Sequence, residues 1–184
     1  MNKKQASVIK ILSSVVLATS VGQVTSHVDD VKAKEVSTKG ENIDMKKFKS
    51  TFEKNAKGGK LEGKSDEILK IADEEKIPRL LMAAIIVNES EWGKSESTKK
   101  LNNPMSVMGN KVKKYDTIDD GLRAGAKYLY KDYIKLGLNT PKEIEKKYAP
   151  TNDNVDPNHM NEHWASKIEK TMKKLGAKKD KASS

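Results

Sequence analysis

The apolar residues of this chain recur with the spacing of α-helices over residues 65–176. Within that block, the segment IPRLLMAAIIV (77–87) is apolar on every side, which is typical of a helix buried at the centre of a domain. Pro78 suits the first turn of this helix. No segment alternates between apolar and polar residues as a half-buried strand does. The pattern predicts a mainly α domain with a central buried helix and a short loop or hairpin lobe after it.

Capping residues mark the ends of the other predicted helices. Ser65 is expected to cap one helix, Thr117 with Asp120 resembles a capping box, and Thr140-Pro141-Lys142-Glu143 forms a second box. The helix that Thr117 begins is expected to end at Gly137. Residues expected to face the core from that helix and from a last helix are Ile118, Leu122, Ala126, Leu129, Tyr133 and Leu136, then Met160, Trp164, Ile168, Met172 and Leu175.

The two ends of the chain differ from the central block. MNKKQASVIK is basic and ILSSVVLATSVG is an apolar run that is short for a membrane span, so residues 1–33 are predicted to be an export signal peptide. The alternative is an uncleaved anchor. Residues 34–64 are predicted to be a polar linker, in which Met45, Phe48 and Phe52 indicate a short amphipathic helix. Residues 177–184 are charged and are expected to form a disordered tail.

Lysine carries nearly all of the positive charge. Lysine and arginine together number 36 against 26 acidic residues, for a net charge of +10, yet Arg79 and Arg123 are the only arginines. Bidentate phosphate contacts and base recognition favour arginine, so no nucleic acid partner is expected. An anionic wall polymer or membrane surface is the expected polyanion, and lysines that only keep the protein soluble are the alternative.

Cysteine is absent from the chain, which excludes disulfides, thiol nucleophiles and Cys-ligated zinc. Together with the predicted export signal and the richness in lysine, this composition suits a secreted, cell-wall-associated protein of a Gram-positive bacterium.

The buried helix ends in the polar stretch NESEWGKS (88–95). Leu81, Ile85 and Glu89 are four residues apart, so Glu89 extends an apolar row of the helix by one turn. Desolvation and the negative end of the helix dipole both disfavour the carboxylate. Glu89 is therefore predicted to keep its proton near neutral pH, as a general acid for a glycosidic oxygen must. The alternative is a solvated acid at a frayed helix end, with Trp92 as a core anchor.

NESEWGKS followed by NNPMSVMG (102–109) resembles the glucosaminidase branch of the lysozyme-like superfamily. Its members typically carry Glu-Ser-Gly-Trp-Gly-Lys-Ser and then Asn-Asn with a short apolar segment that ends in Gly. KKYDTIDDGLRAGAKYL and YAPTNDN are similar to further segments of the family, so the resemblance covers about residues 65–176. Glu91 departs from the pattern because it stands where the family usually has Gly.

The resemblance implies a lysozyme-like fold and a wall hydrolase that cuts peptidoglycan glycan strands at N-acetylglucosamine. It implies that Glu89 is the catalytic acid and that Tyr148 lies across the cleft, near the substrate acetamido group. The residues expected to line or support the substrate groove are Trp92, Asn103, Ser106, Met108 and Tyr115.

A second acid is absent from the expected segment. Many family members carry one between the Asn-Asn loop and the next helix, whereas residues 104–115 contain no Asp or Glu. Two single-acid routes stay open: attack by the substrate's own acetamido oxygen, or attack by the muramyl 6-hydroxyl as in a lytic transglycosylase. SVMGN lacks the Gln that transglycosylases often have there, which favours the first route. A non-catalytic, cationic wall-binding protein is the third alternative.

Neither a metal nor a cofactor is expected. HMNEH (159–163) matches the H-x-x-E-H zinc pattern, but no further protein ligand is indicated after it. NDNVDPN (152–158) lacks the central Gly and the closing Glu of a calcium loop. The protein is expected to act as a monomer.

Overall fold

The computed structural model describes residues 41–108, 111–149 and 161–178. The α-helices in these ranges are α1 Met45–Ala56, α2 Ser65–Glu74, α3 Arg79–Glu89, α4 Glu96–Leu101, α5 Ile118–Asp132, α6 Pro141–Tyr148 and α7 Trp164–Lys174. Pairing between extended segments in the same ranges is limited to two isolated bridges, Ile43 with Ala177 and Met108 with Val112. The prediction of a mainly α, lysozyme-like helical domain is confirmed.

Several predictions fall on residues outside the described ranges. They include the export signal at 1–33, the core position of Met160, and His159 of the zinc pattern. Among the helices that the structure describes, none combines the length and the apolar character that crossing a membrane requires.

Helix α3 forms the centre of the core, as its sequence predicts. Every residue from Leu80 to Val87 is buried, and the helix packs between α2 and α7. On its last turn, Asn88 Nδ2 donates to Thr171 Oγ1 of α7 at 2.9 Å and to the Ala84 carbonyl at 2.7 Å. This contact sets the position of α7 against the end of α3 that carries Glu89.

The part of the predicted linker that the structure describes belongs to the same core. Phe48, Phe52 and Ala56 of α1 are fully buried, as is Leu61 in the turn after it. Two phenylalanines at helical spacing offer a large apolar surface, and burying it against the other helices is favourable. Residues 41–64 therefore pack as part of the domain, which differs from the expectation of a polar linker.

Acidic side chains from distant segments cap two helices. Ser65 is the first residue of α2 and makes no capping bond, so its predicted role as a cap is wrong. Glu53 of α1 accepts the N–H groups of Gly63 and Ser65 at 2.7 and 3.4 Å instead. Glu41 likewise accepts the N–H of Arg79 at 2.6 Å where α3 begins. These contacts tie the N-terminal part of the domain to the helices of the core.

The two predicted capping boxes are confirmed. Thr117 Oγ1 accepts the Asp120 N–H at 3.1 Å, and the Asp120 carboxylate accepts the Thr117 N–H at 3.1 Å. Thr140 and Glu143 make the same pair of bonds at 3.3 and 2.9 Å. Both boxes depend only on residues that are close in sequence, so the sequence alone can predict them.

Helix α5 ends earlier than predicted. It stops at Asp132, and a 3₁₀ turn over Ile134–Leu136 leads to Gly137, which has a φ of +82°. Leu136 is 61% exposed, so its predicted core position is wrong. Tyr133 leaves the helical conformation and its ring packs 5.7 Å from that of Tyr148. Burial of this ring next to Tyr148 of α6 is favourable.

Both arginines are engaged in ion pairs that hold α2. Arg79 makes two bonds of 2.6 Å to the carboxylate of Asp73. Arg123 of α5 contacts Glu67 at 2.8 Å and also Glu74. Their guanidinium groups therefore serve the packing of α2 against α3 and α5.

Two glycines on α5 let the loop after α4 approach closely. A Cβ at Gly121 would lie 1.8 Å from the Asn102 carbonyl oxygen, and one at Gly125 would lie 2.4 Å from Met105 Sδ. Because they are four residues apart, both face the same side of the helix. The loop that carries several predicted groove residues is thus seated directly on α5.

Gly121→Ala should destabilise the protein. Gly→Ala at an open helix position stabilises by about 1 kcal/mol, whereas here the new methyl group would strike a backbone oxygen. We expect a net loss of about 1–3 kcal/mol in the free energy of unfolding, as for overpacked sites. Denaturant unfolding measures it, and Ala124→Gly on the same helix is the control for helix propensity alone. A more stable Gly121→Ala variant would contradict the close approach.

Candidate active site

The last residue of α3 lies between the end of α6 and the beginning of α7. Leu81 and Ile85, which lie two turns and one turn before Glu89 on the same row, are fully buried. Tyr148 ends α6 and Trp164 begins α7, and the polar hydrogens of both act on the Glu89 carboxyl group. The predicted row of Leu81, Ile85 and Glu89 therefore begins in the core and ends beside two polar donors, the Tyr148 O–H and the Trp164 N–H.

Burial raises the pKa of Glu89 from 4.5 to about 7, because the surrounding protein replaces the water that would solvate the carboxylate. The Trp164 N–H, the Tyr148 O–H and the Lys167 ammonium group oppose this effect and lower the pKa. Glu89 as a whole residue keeps partial solvent exposure. Its carboxyl group is therefore strongly desolvated without being sealed inside the core.

Tyr148 and Trp164 present two buried donors that lack partners. Each residue is 5% exposed, and neither the Tyr148 hydroxyl nor the Trp164 Nε1 makes a hydrogen bond of normal geometry with the described residues. Their rings lie 4.8 Å apart at an interplanar angle of 35°. Burial, followed by the nearby Glu89 charge, raises the pKa of Tyr148 well above its usual value. The Tyr148 hydroxyl therefore stays protonated and can donate.

The turn after α3 leaves the helix sharply. Glu91, Trp92 and Gly93 have φ values of +50°, +59° and +84°, in the left-handed region. Ser90 Oγ accepts the Gly93 N–H at 2.9 Å and donates to the Ile86 carbonyl at 2.6 Å. A Cβ at Gly93 would lie 2.6 Å from the Leu61 backbone nitrogen, so only glycine fits there. Glu91 is exposed on this turn.

The structure does not bring Trp92 to the Glu89 carboxyl group. The Trp92 ring packs 6.1 Å from that of Phe52, edge to face, and Lys174 Nζ lies 4.7 Å from its centroid. Lys174 ends α7 and Trp164 begins it, so their backbones are about 15 Å apart along the helix, and Trp92 contacts the end of α7 opposite to Trp164. This placement matches the alternative in which Trp92 anchors the core.

Asn103 organises the loop after α4 from inside. It is fully buried, and its Nδ2 donates to the carbonyls of Val107 and Lys113, both at 2.9 Å. Its Oδ1 accepts the Val107 N–H at 2.8 Å. These bonds use both amide hydrogens, so Asn103 supports the loop and has no free donor for a sugar.

The other predicted groove residues lie on the same loop lobe. Ser106, Met108 and Tyr115 are each partly exposed. The Ser106 hydroxyl lies 3.3 Å from that of Ser97, and the Tyr115 N–H donates to the Leu101 carbonyl at 2.9 Å. Burial raises the pKa of Tyr115. Their partial exposure is compatible with contact to a substrate, although none of them acts on the Glu89 carboxyl group.

Trp164 and Lys167 are the site residues that sequence reasoning missed. The helical spacing of α7 predicts Trp164 only as a core residue, and its ring is indeed buried. The pattern carries no sign that its N–H faces a carboxyl group on α3, or that Lys167 lies within electrostatic reach of it. Both follow from how α7 packs on α3.

The described part of the HMNEH pattern lies at the N-terminal end of α7. His163 is the N-cap residue, is exposed, and has a φ of +73°. Among the described residues, no group of three or more His, Asp or Glu is close enough to hold a metal ion.

A mainly helical domain whose central helix ends in a desolvated carboxyl group of raised pKa is compatible with the general acid of a glycosidase. Residues 65–177 match the Glucosaminidase family, described as mannosyl-glycoprotein endo-beta-N-acetylglucosaminidase. The match covers more than half of the chain, which therefore belongs to this family. A search of curated proteins found no match.

The raised pKa of Glu89 should make stability depend on pH. The folded-state pKa of about 7 exceeds the ordinary 4.5, so the protonated carboxyl is favoured on folding. Its contribution is complete below pH 4.5 and is lost as pH rises to about 7. Relative to Glu89→Gln, the wild type should lose roughly 3 kcal/mol of stability across this range.

Denaturant unfolding at intervals from pH 4 to 8 measures this difference. Glu91→Gln, at an exposed position two residues later, is the matched control for removing one carboxyl group. A constant difference between the wild type and Glu89→Gln over the whole range would contradict the raised pKa.

Proposed function

We propose that the protein is a secreted peptidoglycan hydrolase that cuts the glycan strand at N-acetylglucosamine, with Glu89 as the general acid. The observation that carries this proposal is the Glu89 carboxyl group, which burial brings to a pKa of about 7 while the residue stays partly exposed. The family supports the glycosidic bond as the target. The export signal predicted for residues 1–33 supports action outside the cell.

The first step uses the proton of Glu89. With a pKa near 7, a large fraction of the protein carries this proton at neutral pH, and the group is still acidic enough to give it up. Glu89 donates the proton to the glycosidic oxygen as the bond to the anomeric carbon breaks. The released strand leaves with a hydroxyl group, and Glu89 becomes a carboxylate.

The acetamido group of the substrate acts as the nucleophile. Its carbonyl oxygen forms a bond to the anomeric carbon, which gives a cyclic oxazolinium intermediate that keeps the amide proton. Water then attacks the anomeric carbon, the Glu89 carboxylate takes the proton of that water, and the ring opens with retention of configuration. In support, no carboxylate of the described residues figures among the groups that shift the pKa of Glu89, and residues 104–115 contain no acid.

Tyr148 fits the role of a donor to the acetamido group. Its hydroxyl is buried beside Glu89, is unpartnered among the described residues, and stays protonated because burial raises its pKa. A donor bond from Tyr148 would orient the acetamido group and polarise it. In the second step the same hydroxyl would help to stabilise the Glu89 carboxylate.

Lysines provide a further basis for wall association. Lys167, Lys170, Lys173 and Lys174 are exposed along α7, and the net charge of the chain is +10. Anionic wall polymers are therefore the proposed second partner, bound through diffuse charge attraction.

Glu89→Gln should abolish wall hydrolysis. The amide keeps the shape of the side chain but has no acidic proton, so we expect clearing of cell walls in a gel to fall by roughly 100-fold or more. Glu91→Gln is the control, because it removes an exposed carboxylate from the neighbouring turn. Clearing by Glu89→Gln at the wild-type rate would remove Glu89 from the mechanism. Wall binding by the wild type without release of sugars would favour the non-catalytic alternative.

The mass of the products distinguishes hydrolysis from transglycosylation. Hydrolysis adds one water and leaves a reducing N-acetylglucosamine end. Attack by the muramyl 6-hydroxyl, the second route with a single acid, leaves an anhydro end that is lighter by one water. We expect reducing ends in mass spectra of digested wall, and a majority of anhydro ends would show that the protein is a lytic transglycosylase.

A further inference from the structure

We propose that Trp164 is a positioning residue for Glu89: its indole N–H holds one carboxyl oxygen as an acceptor and leaves the other oxygen to carry the proton. This inference rests on the proposed role of Glu89 as the acid. It adds a residue from α7 to the two residues, Glu89 and Tyr148, that the sequence predicts as catalytic.

The first observation is the unpartnered indole. Trp164 is 5% exposed, and its Nε1 has no hydrogen bond of normal geometry with the described residues. Buried donors without partners are rare and cost free energy, so each one calls for an explanation. The Glu89 carboxyl group is close enough for this N–H to lower its pKa. Glu89 is therefore the acceptor that this donor serves.

The second observation is that the indole is held in place. Its ring stacks on Tyr148 at 4.8 Å. The Trp164 backbone N–H donates to the Asn161 carbonyl at 3.1 Å, and the next N–H, of Ala165, donates to Glu145 Oε1 of α6 at 2.8 Å. A donor on such a rigid support selects one orientation of the group that it faces.

The indole N–H of Trp164 can donate a hydrogen bond but cannot accept one. The carboxyl oxygen of Glu89 that faces the indole is therefore an acceptor and does not carry the proton. The Tyr148 hydroxyl can either donate or accept, and so it fits both the protonated and the ionised acid. Trp164 therefore breaks the symmetry of the carboxyl group. It makes the oxygen turned away from the indole the one that carries the proton.

Other groups near Glu89 must be separated from this effect. The Tyr148 hydroxyl of α6 and the Lys167 ammonium group of α7 both act on the Glu89 carboxyl. Glu145 of α6 contacts the first turn of α7, and His163 directly precedes Trp164. A pH response at Trp164 therefore has to be assigned to Glu89 by mutation.

The two tryptophans of the chain allow a direct test by ¹H–¹⁵N NMR of the full-length protein. In the wild type, the indole N–H signal of Trp164 should shift downfield with a midpoint near pH 7 as Glu89 ionises. The signal of Trp92, which lies near the far end of α7, is the internal control. In Glu89→Gln the Trp164 titration should disappear. A Trp164 signal that does not titrate, or that titrates equally in Glu89→Gln, would overturn the proposal.

A second test removes the N–H and keeps an aromatic ring. In Trp164→Phe, the pKa of Glu89, measured by carboxyl ¹³C NMR, should rise by about 1, whereas the control Trp92→Phe should leave it unchanged. An unchanged pKa in Trp164→Phe would overturn the proposal. If Trp164→Phe does not fold, the titration of the wild-type indole decides alone. Both readouts are independent of activity, so an inactive wild type would count against the proposed function and not against this contact.

Discussion

The burial of α3 on all sides is the constraint on which the rest of the structure depends. Residues Leu80 to Val87 have no exposed face, and α2 and α7 pack against this helix. Glu89 follows directly on this buried segment, and its carboxyl group lies in desolvated surroundings as well. The raised pKa of Glu89 is thus a consequence of the packing of the core. The apolar row that stabilises the domain is also what gives the carboxyl group its proton near neutral pH.

A general acid in a hydrolase must give up its proton and later recover one, so its pKa has to be raised without being raised too far. Desolvation has the largest effect on the pKa of Glu89 and raises it, while Trp164, Tyr148 and Lys167 lower it. The donors come from α6 and α7, and the contact of Asn88 with Thr171 keeps α7 against the end of α3. The pKa of Glu89 therefore depends on the relative positions of α3, α6 and α7. This is a common compromise at active sites, where groups are arranged for chemistry at some cost in stability.

Close contacts between backbone segments position the loop after α4 and the turn after α3. Gly121 lets the loop after α4 touch α5, and Gly93 lets the turn after α3 touch the turn before α2. Glu91 adopts a φ of +50° on that same turn, a conformation that costs a non-glycine residue about 1–2 kcal/mol. Glu91 thus takes a left-handed conformation that glycine adopts at little cost, at the position where the sequence departs from the expected family pattern. Its side chain is exposed.

The sequence by itself determined what depends on a face or on a few neighbouring residues. Helical spacing identified α3 as buried and placed Glu89 on its apolar row, and the two capping boxes followed from local chemistry. Tertiary packing decided which residues cover that row. Periodicity shows that a face is buried without showing its neighbour, so Trp164 next to Glu89 and Trp92 away from it were not predictable. The inclusion of α1 in the core and the capping of α2 by Glu53 belong to the same class, since each joins segments whose contact only the assembled fold creates.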